Sequence, residues 1–245
     1  MNTPAALITK NPAKTRQAAL LCLVLALLGI TKVAAETRTI EFVGKAYDVE
    51  TSELLYTEEH RLEQEDGVPR QETVRYITSN GDRLAQKDMT YWRPTRPAYQ
   101  LTVTDPARTE LVKPDDDGVS IESVESGTLE WSEDAASVID GGFHYFIVDH
   151  FDTLLAGDTV DFQFLAPTRV RWLGLRVSPV DQIEGQLVLE LNVQNRVLSW
   201  VISDIELTYD IDTQRLLSYR GLTNLPKPGG GNYTANIEYQ YPEGH

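Results

Sequence analysis

Cysteine is nearly absent: the 245-residue chain has one, Cys22. A single cysteine makes no internal disulfide and no cysteine metal site, and Cys22 falls in a segment read below as a leader that is removed, so no thiolate nucleophile is expected. Histidine is scarce as well, with four residues. His60 falls on the apolar face of a strand, as a satisfied, half-buried histidine would. His144 and His150 stand six apart, whereas a metal pair on one helix face needs a spacing of three or four. Positive charge is in deficit: 22 Lys and Arg face 37 Asp and Glu, for a net charge of −15. A polyanion is repelled by nucleic acid and by anionic membrane surfaces, so no nucleic-acid partner is expected. Catalytic motifs are missing too. There is no Gly-x-Ser-x-Gly, and Gly229-Gly230-Gly231 lacks the Lys-Ser/Thr ending of a phosphate cradle. Asp115-Asp116-Asp117-Gly118 lacks the alternating oxygen ligands and closing Glu of a calcium loop and reads as a solvated acidic turn. Carboxylates are too numerous for a hydrolytic pair to be singled out. No cofactor and no metal are expected, and the balance leans away from an enzyme, with a carboxylate-based hydrolase as the alternative.

What is present begins with a three-part leader. Lys10, Lys14 and Arg16 precede an apolar run from Ala18 to Ile30, and Val33-Ala34-Ala35 supplies small residues for cleavage before Glu36. The run is shorter than the ~20 residues a spanning helix needs, and Lys32 interrupts it. Leu21, before Cys22, is larger than lipidation favours. The expected organisation is a signal peptide over 1–35 and one β-rich domain over 36–245. A chain without cysteine after cleavage points to the periplasm, and to a protein that is not integral to the membrane once cleaved.

Period-2 alternation dominates the rest. Ile40, Phe42, Gly44 and Ala46 share one face of a strand, and Leu54, Tyr56, His60 and Leu62 do so in the next. Val74-Tyr76-Thr78 and Leu84-Gln86-Asp88 flank the turn at Asn80-Gly81-Asp82, and Asp66-Gly67 marks another. These early strands are polar on both faces in places, which suggests a partly solvated meander. Later strands are cleaner: Val160-Phe162-Phe164, Ile205-Leu207-Tyr209-Ile211 and Tyr233-Ala235-Ile237-Tyr239-Tyr241 alternate strictly, and Ile183, Gly185, Leu187, Leu189, Leu191 and Val193 read as one long strand. The expected fold is mainly β: a single highly curved antiparallel sheet or open barrel of about 10–12 strands, with one inserted amphipathic helix. Tyr47-Asp48-Val49-Glu50-Thr51-Ser52-Glu53-Leu54-Leu55 echoes Tyr209-Asp210-Ile211-Asp212-Thr213-Gln214-Arg215-Leu216-Leu217, either as two hairpins built with the same turn chemistry or as a trace of duplication.

The helix is the segment Phe143–Leu155, with Phe143, Phe146, Ile147, Phe151, Leu154 and Leu155 at 3.6 periodicity, Asp140 as N-cap and Gly157 as stop. A second helical stretch is expected over Arg196–Ile202. Arg169, Arg171 and Arg176 gather around Trp172 in an otherwise acidic chain, on a strand whose apolar phase is read to switch near Trp172-Leu173 as at a bulge. They offer an anion or headgroup contact with an aromatic platform, or cross-strand pairing with Asp161, Glu184 or Glu190. The candidate ligand-binding residues are therefore Phe143, Phe146, Ile147, Phe151, Arg169, Arg171, Trp172 and Arg176.

With its leader, curved sheet and inserted helix, the chain resembles the LolA/LolB-type periplasmic lipoprotein carriers in architecture, with no motif of theirs matched residue by residue. Gly142-Phe143-His144-Tyr145-Phe146, Phe162 to Arg169, and Tyr219-Arg220-Gly221-Leu222-Thr223-Asn224-Leu225 resemble uncharacterised exported β-rich proteins of Gram-negative bacteria. The resemblance implies an apolar cavity and a lipid or other amphipathic ligand. The competing expectation is an envelope interaction or assembly protein that works through its sheet edges or acidic surface. An outer-membrane barrel fits poorly, because its strands would alternate around a lipid-facing belt.

Overall fold

The computed structural model describes residues 35–105, 107–194 and 205–242. The expected leader up to residue 34 and the helical stretch expected over Arg196–Ile202 lie outside the described residues. Among those described, Glu36 onward forms one fifteen-stranded sheet. The strands are β1 (Thr37–Asp48), β2 (Leu54–Glu65), β3 (Val68–Thr78), β4 (Arg83–Arg93), β5 (Arg96–Val103), β6 (Arg108–Pro114), β7 (Gly118–Glu122), β8 (Ser126–Glu130), β9 (Ser137–Val138), β10 (Val160–Ala166), β11 (Arg171–Ile183), β12 (Gln186–Val193), β13 (Ile205–Asp210), β14 (Leu216–Pro226) and β15 (Asn232–Gln240). Helices α1 (Gly142–Asp149) and α2 (Phe151–Leu155) separate β9 from β10.

The sheet runs β8 to β1, then β15 down to β9. Every sequential pair is antiparallel except β9–β10, and β1 pairs with β15. The two edge strands, β8 and β9, are neighbours in sequence, so the sheet curls on itself without a backbone ladder at the break. Side chains bridge that gap instead. Trp172 on β11 donates from Nε1 to the Glu130 carbonyl of β8 at 3.0 Å, and Arg96 caps the Trp131 ring at 4.2 Å while its Nε donates to the Ser137 carbonyl.

Two apolar clusters fill the concave side. One gathers inward residues of β1–β7 with β15, among them Tyr56, Val74, Leu101 and Ile121. The other joins Phe146, Ile147, Phe151 and Leu154 of the helices to Phe162, Val177, Leu187, Leu189 and Leu207. The helices thus pack inside the curl.

The structure departs from the sequence reading in several places. The run Ile183–Val193 is two strands, because Glu184 and Gly185 both take positive φ (50° and 81°), the two-residue turn that matches strand twist. Ile183 is left half-exposed at the end of β11. In β4 the inward set is Ala85, Lys87, Met89 and Tyr91, with Gln86 and Asp88 outward. The helix breaks at His150, whose Nδ1 bonds the Phe146 carbonyl at 2.9 Å. Asp140 does not cap it with a side-chain bond to the helix; its carboxylate is engaged by Lys87. The irregularity in β11 lies at Pro179/Asp181, not at Trp172. Asp115 Oδ1 accepts from the amides of Asp117 and Gly118, as an acidic turn requires. The two echoing segments form matching hairpins: Asp48 accepts from the Thr51 amide at 2.9 Å and Asp210 from the Thr213 amide at 2.7 Å, with Ser52 and Gln214 at positive φ.

Candidate functional site

Inward-facing residues of both halves line a cavity of about 820 Å³. Its wall is mainly aliphatic and aromatic, with Phe42, Val74, Phe143, Phe164, Leu173 and Leu191 among its residues. Set into that wall are ionisable groups that occupy inward positions of regular strands: Glu58 and His60 on β2, Glu72 on β3, Lys87 on β4, Arg108 and Glu110 on β6.

Most of these groups are paired within the wall, as burial demands. His60 is held between two carboxylates, with Glu72 Oε1 at 2.9 Å from Nδ1 and Glu58 Oε2 at 3.2 Å from Nε2. Tyr91 donates to the other Glu72 oxygen at 2.7 Å, and Tyr239 donates to Glu58 at 3.2 Å. Burial alone would push the imidazole down; hydrogen bonds and charge from Glu58 and Glu72 together outweigh it and raise it to about 9. His60 is therefore a fixed cation at neutral pH. Burial works the other way on Glu72, yet His60 and Tyr91 hold its carboxyl below its usual value. A second set joins Lys87 Nζ to both Asp140 oxygens at 2.8 Å, with Asn224 donating to Asp140 at 2.6 Å. In a third, Glu110 accepts from Tyr99 and from Ser123, each at 2.6 Å. His144 is different: burial depresses it to about 4, its Nδ1 has no partner among the described residues, and its ring stacks on Tyr209 at 5.9 Å.

No hydroxyl or thiol bonds to His60 among the described residues; what the arrangement offers there is an imidazole held between two carboxylates. Nor, among the described residues, do three or more His, Cys, Asp or Glu gather as metal ligands. No helix there is long and apolar enough to cross a membrane.

The candidate residues from the sequence separate into groups. Phe143, Arg169 and Arg171 line the cavity. Phe146, Ile147 and Phe151 are buried in the cluster behind the wall. Trp172 has the opposite parity to Arg171 and Leu173 and belongs to the seam with β8. Arg176 faces outward, clasping Asp161 with two bonds of 2.7 Å. The sequence reading missed Glu58, Glu72, Lys87, Arg108 and Glu110. Their signal was available: each is a charge at a position in phase with buried apolar neighbours, as in Tyr56-Glu58-His60-Leu62 or Ala85-Lys87-Met89.

No protein-family model matches the chain, and no curated protein matches it. Among solved structures, a β-barrel-like protein of the domain of unknown function DUF1849 from Brucella abortus is similar at 8% identity and a TM-score of 0.47, over 85% of this chain and 98% of that one.

Proposed function

We propose that this is an exported, periplasmic binding or carrier protein whose cavity takes a hydrophobic or amphipathic ligand. The observation that carries this reading is the cavity of about 820 Å³ with a mainly apolar wall. Ligand sites usually span ~300–1,000 Å³ and combine an apolar lining with a few placed polar groups. A sheet of this kind would otherwise close its two faces into a densely packed core. The interior carboxylates are already satisfied by His60, Lys87, Tyr99 and Ser123. They can thus remain buried beside an apolar guest.

A titration with the fluorescent apolar probe N-phenyl-1-naphthylamine tests the reading. Saturable binding near one probe per chain, lost when Val74→Trp fills the cavity in a protein of unchanged circular dichroism, is the expected result. A folded wild-type protein that takes up no probe contradicts it. Export is tested by cell fractionation and N-terminal sequencing, which should place the protein in the periplasm beginning at Glu36.

A further inference from the structure

We infer that the ligand carries an anionic head, a carboxylate or a phosphate, that sits on the cavity wall against Arg171, whose Nε is buried without an acceptor among the described residues, with Arg108 as the second such group on the wall. This rests on the proposal that the cavity holds a ligand and names the chemistry of its head.

Arg108 opens β6. Four residues on, Val112 pairs with Ile121, which pairs with Gly127 of β8. Gly127 abuts Val170, which stands between Arg169 and Arg171, so the register sets Arg108 ~13 Å along the strands from the other two. All three arginines line the same cavity.

Their bonding sets them apart from the other charges there. Each of the four lining carboxylates, Glu58, Glu72, Glu110 and Asp140, has a protein partner. Arg108 Nε and Arg171 Nε are buried and have none among the described residues. Outside the cavity, by contrast, Arg176 finds Asp161 in bidentate geometry. Burying a guanidinium donor without an acceptor is costly, and its planar fork fits a carboxylate or phosphate. The balance of charge agrees: five Lys and Arg line the cavity against four Asp and Glu, and His60 adds a further cation, in a chain of net charge −15. A cationic head would find every interior acid already taken.

The wall also changes character in the order an amphiphile needs. Arg171, Leu173 and Leu175 share the inward face of β11, so guanidinium gives way to aliphatic surface within ~13 Å at ~3.3 Å per residue. A head on Arg171 directs its tail along Leu173 and Leu175.

The test compares hexadecanoate, hexadecyl phosphate, hexadecan-1-ol and hexadecyltrimethylammonium by calorimetry or probe displacement on the purified protein. At least one anion is expected to bind about tenfold or more tighter than the alcohol, as charged hydrogen bonds allow, and the better of the two separates a carboxylate from a phosphate source. The Arg108→Gln/Arg171→Gln variant should bring that anion down to the alcohol's affinity and leave the alcohol within about twofold, while Arg75→Gln on the outer face of β3 changes nothing. If the double glutamine variant does not fold, Arg108→Lys/Arg171→Lys keeps the charge without the fork and should show a smaller selective loss for the anion. Equal binding of alcohol and anions, preference for the ammonium, or an equal loss for all probes in a folded variant overturns the anionic head and leaves the cavity reading intact. Failure of every probe to bind the wild type overturns both.

Discussion

Lys87 is only 3% exposed, and both oxygens of Asp140 lie 2.8 Å from its Nζ. Removing one partner strands the other. Lys87→Met should therefore destabilise the fold by about 3–5 kcal/mol, and Lys87→Met/Asp140→Asn should recover part of that loss in urea unfolding. The two buried histidines make stability depend on pH in opposite directions. His60 is raised from 6.5 to about 9, so its contribution is complete below pH 6.5 and disappears as pH rises through 9. His144 is lowered from 6.5 to about 4, so its contribution is present above pH 6.5 and disappears as pH falls toward 4; the lowered carboxyl of Glu72 adds to the loss on the acid side. The thermal midpoint should peak near pH 6.5, His60→Gln should flatten the alkaline limb, and His144→Phe should flatten the acid limb. The sequence announced His60 as an inward histidine, but not its carboxylates. Polar residues inside strands read as solvated until the structure shows that both faces of an early strand can be polar when one face carries a paired network.

The elements were legible where one face is purely apolar, as in β10, β13 and β15, and less so where a turn is as short as two residues. Glu184 and Gly185 keep the alternation of Ile183–Val193 in phase across the hairpin, which hides the break. The helix was visible from its aromatic spacing, while its interruption at His150, whose side chain bonds the Phe146 carbonyl, was not. Gly142, the first residue of α1, lies against the β4–β5 turn so closely that a Cβ there would be 2.3 Å from the Thr95 carbonyl oxygen. Backbone cannot yield as a side chain does, so Gly142→Ala should cost about 2 kcal/mol or more in chemical denaturation. At the sheet break, Trp172→Phe retains the ring against Trp131 and removes the bond to Glu130. A loss of about 1 kcal/mol, with faster amide exchange confined to β8 and β9, is the expected outcome; unchanged exchange there would mean the seam is held by packing alone.

Among the described residues the sheet is a meander whose first and last strands pair, leaving one break between strands that follow each other in the chain. That order is legible only in part from sequence: a series of hairpins favours neighbouring strands, but the β1–β15 pairing and the inward curl depend on contacts far apart in the chain. The curl converts a strand's inner face into a chamber wall, and this is why the Arg169–Arg171 pair, visible as a local cluster, lines the same chamber as Arg108 of the opposite half. The central claim is that this chamber holds an amphipathic molecule. Native mass spectrometry of the protein purified without detergent from the cells that make it addresses that claim most directly. The account predicts a discrete added mass, released by organic solvent as an anionic amphiphile and diminished in Arg108→Gln/Arg171→Gln. A wild-type protein that carries only its own mass, and stays so after incubation with hexadecanoate, hexadecyl phosphate and hexadecan-1-ol, would contradict it.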